Sequence, residues 1–402
     1  MAKDNAVRIV AVGDVQPNRR EPDTLFEKVK GDLEWGDLRY CQLECTLSDK
    51  GILRTDVRNP AHRVPPHNIE ALTAAGFNVV SFAGNNNLDY GLEAFEDTLG
   101  LLSEHDIGYV GAGANLPEAR RPLYTSINGT TVGWVNFCSI LRDGFEATDH
   151  RPGISPLKLR TFYEPLENIY EQPGTPSRTV TLTDAEDLAS AMKVVEEAKQ
   201  KADVVIGCFH WGVHFTYDLA IYQADVAYAA IDHGCDLILG THPHCLQAVD
   251  VYKGKHIFYS LGNFAFEQPE DIARVGVSQY LSFYGIPPEP ELKVHPHPRH
   301  CRQSILLKIL VADGRIDDVV LVPTYFNDQA QPEVQEYGST IHTSIVQLMQ
   351  RLCDEIGTVV SVTSSGDLTV SQGKDSIDTR EYLRKRNNSY PWLRTLSMDP
   401  ES

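Results

Sequence analysis

Six side chains stand out because each follows a short apolar run and each can bind a metal or move a proton. The run at 7–12 ends in Gly13-Asp14, and the run at 38–43 ends at Glu44. The run at 78–82 enters Ala83-Gly84-Asn85-Asn86-Asn87. Further on, 204–209 opens into His210-Trp211-Gly212-Val213-His214, and 237–239 into Gly240-Thr241-His242-Pro243-His244. Carboxylates, an amide oxygen and imidazoles make a donor set suited to Mn, Fe or Zn rather than to a thiolate-bound ion. Any one of these residues alone reads as a helix cap or a satisfied polar group of the core. Asp14, Glu44, Asn85, His210, His242 and His244, all at the same kind of junction, read as a site.

For these side chains to meet, their runs must be strands of one layered domain with the loops gathered at one end. Helical spacing is present over 24–33, over 68–75 with a stop at Gly76, and over 92–104, where Leu92, Phe95, Leu99 and Leu102 share a face. Helices over 185–201 and 221–233 precede the strands at 204–209 and 237–239. This alternation predicts an α/β core. Hairpins are predicted across Asn128-Gly129, joining 123–127 to 131–137, across Lys253-Gly254, and across Asp313-Gly314, joining 304–311 to 317–322. The stretches 141–178 and 267–300 carry no period, and irregular chain of that length in a compact domain is usually a lid or a substrate wall. The predicted organisation is a single domain over 1–373 with those two insertions and a polar C-terminal tail over 374–402.

Composition narrows the function. The 402 residues are 42% hydrophobic, enough for a large core. With 55 acidic against 36 basic residues the formal charge is −19, which argues against a nucleic-acid partner. No apolar stretch is long enough to span a membrane, and the first residues lack a signal-peptide core, so a cytoplasmic location is expected. The eight cysteines form no CxxC pair and read as reduced, buried thiols. His105 and His233 fall at predicted helix ends, where a cation is favoured, and read as structural.

Read in order, Gly13-Asp14, Gln42-Leu43-Glu44, Arg63-Val64-Pro65-Pro66, Ser81-Phe82-Ala83-Gly84-Asn85-Asn86 with Asp89-Tyr90-Gly91, His210-Trp211-Gly212, Gly240-Thr241-His242-Pro243-His244 and Tyr259-Ser260-Leu261-Gly262-Asn263-Phe264 resemble the poly-gamma-glutamate capsule synthesis family. This CapA-like family is related to the metallophosphatases, and the resemblance runs from about residue 8 to residue 324. It implies a calcineurin-like α/β/β/α sandwich, metallophosphatase-like, with Asp14, Glu44, Asn85, His210, His242 and His244 around a one- or two-metal centre. Three positions depart from the family pattern. Asn86 stands where a His is usual; in the related phosphatases that imidazole protonates the leaving group, and an amide cannot. His214 replaces the Glu of a Trp-Gly-x-Glu pattern, and Thr241 replaces a His. Each departure removes a charge or an imidazole, which points to a weakened or absent metal.

The stretch His295-Pro296-His297-Pro298-Arg299-His300 is held extended by its prolines and offers imidazoles that titrate near neutral pH. The sequence reading therefore takes Asp14, Glu44, Asn85, Asn86 and His295 as catalytic, and Arg63, His214, His297 and His300 as substrate-binding. Cytosolic members of the CapA-like family include a lasso-peptide epimerase, similar in lacking a signal segment and in its altered phosphatase centre. The function adopted from the sequence is metal-independent Cα epimerisation of a residue in a ribosomal precursor peptide, with no cofactor. Asp14 or Glu44 would pair with His295 across the carbon. The alternative is a Mn-, Fe- or Zn-dependent hydrolase of amide (gamma-glutamyl-type) or phosphoester bonds, and the third reading is a binding protein whose site has decayed. The expected partner is a peptide substrate rather than nucleic acid or membrane, and the oligomeric state is left open.

Overall fold

The computed structural model describes residues 6–57, 60–165, 173, 177–268, 297–374 and 377–386. Two sheets dominate it. The larger, ten-stranded sheet runs in the order Thr358–Val362, Leu368–Gln372, Arg315–Phe326, Gln303–Ala312, Val7–Gln16, Leu38–Leu43, Val79–Ser81 and Gly108–Val110, with Asn263–Phe266 also paired to Val7–Gln16 and Pro332–Val334 to Arg315–Phe326. The six-stranded sheet runs Val249–Tyr252, Lys255–Phe258, Leu237–Thr241, Val204–His210, Thr130–Cys138 and Leu123–Ile127.

Alternation along the first strand sets the layers. Val7, Ile9 and Ala11 share one apolar cluster with Val132, Trp134 and Ile206 of the second sheet. Val10 and Val12 join the other cluster, with Leu72 of helix Ile69–Ala75 and Phe95 and Leu99 of helix Gly91–Glu104. A period of two with both faces apolar is what a strand buried on both sides requires. Between the sheets Tyr40 stacks on Trp134 with ring centroids 5.4 Å apart. Beyond the second sheet, Ala191 and Val195 of helix Ala185–Lys199 and Val226 of helix Ile221–Asp232 complete the same cluster. The result is the α/β/β/α sandwich.

The three hairpins form across the turns the sequence marks. Asn128 and Gly129, Lys253 and Gly254, and Asp313 and Gly314 all have positive φ, the twist that two-residue turns need. Gly76 ends its helix in the left-handed conformation, and His105 and His233 each bond a carbonyl four residues back. All eight cysteines are buried and free.

Elsewhere the structure differs from the sequence reading. The helix predicted over 24–33 is broken into the 3-10 turns Pro22–Thr24 and Glu27–Val29 and a five-residue α-helix, Lys30–Glu34. Leu25, Phe26, Val29 and Leu33 are all buried, with Phe26 packed on Phe77 and Phe264, so tertiary packing overrides the helical period. The stretch read as irregular contains a ribbon, Leu159–Glu164 paired with Arg178–Thr183. The segment after Phe326, which the sequence reading leaves unassigned, holds helix Thr340–Asp354 and the hairpin of Thr358–Val362 with Leu368–Gln372. Within the segment read as a polar tail, Thr379–Lys385 is a helix, and Arg384 reaches Asp225 of helix Ile221–Asp232. Among the described residues no helix is long and apolar enough to cross a membrane.

Candidate metal centre

The parallel strands of both sheets end at one edge, and the side chains that follow them meet there. Asp14 lies within Val7–Gln16 at a register shift against both neighbouring strands, an irregularity of the kind that re-aims a side chain. Its predecessor has to be glycine, because a Cβ on Gly13 would lie 1.9 Å from the carbonyl oxygen of Gly262. Gly240 meets the same constraint on the other sheet, with the Tyr259 carbonyl 2.1 Å from its would-be Cβ. These close approaches hold the loops bearing Asp14 and His242 against the strand ends.

Four donors converge. His210 Nε2 lies 2.7 Å from Asn85 Oδ1 and 3.5 Å from Glu44 Oε1. His242 Nδ1 lies 3.2 Å from both Asn85 Oδ1 and His210 Nε2. Beside them, Asp14 Oδ2 accepts the His242 backbone N–H at 3.2 Å and stands 3.8 Å from His244 Nδ1. Ligand atoms of Asp14, Glu44 and His210 all lie within 4.8 Å of one another, and all three residues are fully buried. His242 and His244 have φ of 94° and 60°, a left-handed backbone that non-glycine residues adopt at a cost of about 1–3 kcal/mol each.

A bound cation fits this arrangement. Asp14 Oδ1 and Glu44 Oε2 are buried with no hydrogen-bond partner, which is expensive for carboxylate oxygens. Burial holds the Asp14 pKa up at about 8 despite the His242 N–H, and burial together with the Asp14 charge holds Glu44 well above the usual carboxylate range. Burial also pushes His210, His214 and His242 well below the ordinary imidazole value, each reinforced by neighbouring histidines, and takes His244 down to about 4. Neutral imidazoles facing unpartnered carboxylates form the donor set of a divalent metal.

The three departures surround these donors rather than dismantle them. Thr241 Oγ1 lies 3.1 Å from His210 Nδ1 and so orients the imidazole from its far nitrogen. The His214 ring lies 4.0 Å from that of His242 and 5.3 Å from that of His244. Asn86 donates its amide to Glu44 Oε1 at 2.8 Å and accepts from Asn85 at 3.2 Å.

The remaining sequence-predicted residues divide. His297 reaches the cluster, its ring 4.3 Å from that of His244 and its Nδ1 3.1 Å from Asn263 Nδ2. His300 is buried but faces the Phe215 carbonyl and the edge of Tyr217. The extended run expected there gives way to a 3-10 turn over Arg299–Arg302, because Pro298 stands before the turn and leaves its N–H groups intact. Arg63 donates to the carbonyls of Lys50 and Gly51 and lies over the Tyr90 ring, so it braces a loop. His295 lies outside the described residues. Asn263, whose Oδ1 sits 2.8 Å from His244 Nδ1, is a site residue that the sequence reading misses although it quotes the motif. Its signal is the Leu261-Gly262-Asn263 ending of another apolar run, the same junction that marks the rest.

The chain matches the family described as "Bacterial capsule synthesis protein PGA_cap" over residues 8–268. It is 32% identical to the PGA biosynthesis protein CapA of Bacillus subtilis over 50% of this chain and 45% of that protein. It is also 32% identical to the capsule biosynthesis protein CapA of Bacillus anthracis, over 62% of this chain and 56% of that one. The chain thus spans about half the length of the curated relatives it matches. A hypothetical protein from Thermus thermophilus superposes with a TM-score of 0.44 at 14% identity, covering 82% of this chain and 98% of the other. Since the matched stretch is more than half of the sequence and holds every donor described above, this chain belongs to the bacterial capsule synthesis PGA_cap family and carries its metallophosphatase-like fold.

Proposed function

We propose that this protein is a metal-dependent hydrolase acting on an amide of the gamma-glutamyl type or on a phosphoester. The observation that carries this reading is the convergence of Glu44, Asn85, His210 and His242 from four different strand ends onto one point. This reverses the preference drawn from the sequence, where the three departures counted against a metal. Glu44, Asn85, His210 and His242 would hold one divalent Mn, Fe or Zn ion, with Asp14 and His244 beside them for a second. Such an ion supplies Lewis acidity and an activated water.

The chain's own residues do the rest. Thr241 and Asn263 fix the rings of His210 and His244. His214, neutral at physiological pH and packed on His242, stands where it can take up or return a proton. Asn86 cannot supply a proton, so the amine leaving group of an amide has to take its proton from another group, for which His214 is the candidate. The names of the Bacillus relatives, both concerned with capsule or PGA biosynthesis, support a gamma-glutamyl substrate.

Asn86 also favours a second reading, Cα epimerisation of a peptide. An unpartnered, buried Asp14 oxygen could act as the base, with the opposing acid expected from His295. One experiment separates the two. Purified protein is assayed for Mn, Fe and Zn, then incubated with gamma-glutamyl and linear peptides in deuterated water, with and without chelator. Stoichiometric metal and chelator-sensitive bond cleavage are expected. Protein without metal that adds one deuteron at a single Cα and cleaves nothing would replace hydrolysis by epimerisation.

A further inference from the structure

The segment that follows the Thr130–Cys138 strand leaves the centre from a fixed point. Cys138 pairs in register with His210, and Ser139 N–H donates to the His210 carbonyl at 2.9 Å. Three residues on, Arg142 is half-buried, and its Nη1 donates to the backbone carbonyl of Asp56 at 3.2 Å. Among the described residues it takes part in no ion pair.

The opposite wall is also tied to the centre. Asn86, bound to Glu44, begins a turn in which Asp89 N–H donates to the Asn86 carbonyl. Arg54 N–H in turn donates to the Asp89 carbonyl at 2.9 Å. The Arg54 side chain bonds the Asp143 carbonyl, closing this wall onto the segment that carries Arg142. Arg54 is already neutralised by Asp56 at 3.0 Å. Among the described residues Arg142 bonds the Asp56 backbone carbonyl and makes no ion pair, although its charge also reaches the Asp56 carboxyl. Its charge is felt on both sides of the cleft, by His62 and His214 and by the buried Asp89.

A guanidinium that forms no ion pair among the described residues, beside a metal-binding cleft on a chain of formal charge −19, is a placed cation rather than part of a general basic surface. Its remaining N–H groups form a planar fork that matches a carboxylate or a phosphate. We propose that Arg142 is a specificity residue that captures an anionic oxygen group of the substrate, a carboxylate or a phosphate flanking the bond to be broken. The Asp56 carbonyl holds the fork in place. This rests on the hydrolase reading for its substrate, but not for its geometry.

The test uses the full chain with Mn added and two probes, a gamma-glutamyl tripeptide and inorganic phosphate, with binding measured by calorimetry on wild type, Arg142→Gln and Arg142→Lys. Metal content is measured on each protein. Arg142→Gln is expected to weaken one probe by about 10- to 100-fold, the range of a charge-assisted hydrogen bond, with metal content unchanged. Arg142→Lys should recover part of the loss, because it restores charge but not the fork. Whichever probe responds identifies the anion as carboxylate or phosphate. Affinity equal in all three proteins, or no binding of either probe to wild type, overturns the assignment. A wild type that holds no metal yet depends on Arg142 for binding would overturn the hydrolase reading and leave this inference standing.

Discussion

Replacing Glu44 by Gln isolates the charge at the centre while preserving shape. Glu44 is fully buried, takes the Asn86 amide on Oε1 at 2.8 Å, and has no partner on Oε2. In metal-free protein the carboxyl is held protonated well above its usual range by burial and by Asp14. Exchanging a neutral acid for an amide of the same size should then change stability by no more than about 1 kcal/mol. With metal the two proteins diverge. A ligand at 100 times its Kd stabilises the folded state by about 2.7 kcal/mol. Losing the carboxylate that faces His210 should weaken binding by at least the roughly 100-fold seen for outer-shell partners. At the same metal concentration the variant is then half-saturated and gains only about 0.4 kcal/mol, leaving a difference of about 2.3 kcal/mol. Urea unfolding of both proteins, each with chelator and with fixed Mn, measures all four values. Equal stabilisation of wild type and Glu44→Gln by Mn would refute the assignment of Glu44 as a ligand.

Two further outcomes follow from the same geometry. Gly13→Ala should displace the Asp14 loop, since its Cβ would lie 1.9 Å from the Gly262 carbonyl, and should destabilise the fold by roughly 1–3 kcal/mol or more with loss of metal; a variant with normal metal content and stability would show that the loop yields freely. Metal-free protein should lose stability as pH rises from about 6.5 to 8. Over that window Asp14 and Asp89, both raised by burial to about 8, keep protons that the unfolded chain has already released. The lowered histidines oppose this only below their unfolded value of 6.5, between it and about 4 for His244. Chelated protein whose urea midpoint stays flat or rises from pH 6.5 to 8 would contradict the raised carboxyls.

The site is more legible in the sequence than the elements around it. Each proposed ligand follows an apolar run, and a strand end is a local event that a few residues announce. Asn263 escapes only because its run reads as a hairpin and not as a further junction. The Thr24–Leu33 segment misleads because its period reports burial, and buried residues on short turns mimic a helix face. Helix Thr340–Asp354 is readable in principle, with Ile345, Leu348 and Leu352 on one face behind the Ser339 cap. The partnership of the two sheets is not. Nothing local to Tyr40 or Trp134 says that their rings will stack across the core.

The departures from the family pattern pick out residues around the centre, and under the metal-dependent reading they carry a different weight from the one a count of lost imidazoles gives them, for a physical reason. Counting lost imidazoles treats every polar residue near a metal as a holder of it. Affinity depends on the atoms that converge and on the groups that orient them. Thr241 is of the second kind, since it bonds the far nitrogen of His210. His214 adds a ring against His242 and His244 instead of removing a donor from the cluster. Only Asn86 changes the chemistry, because it sits on Glu44 Oε1 as a fixed donor with no proton to release. A frame that keeps its convergent donors while losing that proton source should hold a metal normally and differ from a phosphatase in how the leaving group is protonated. The difference therefore belongs in the dependence of rate on leaving-group pKa, and not in metal content.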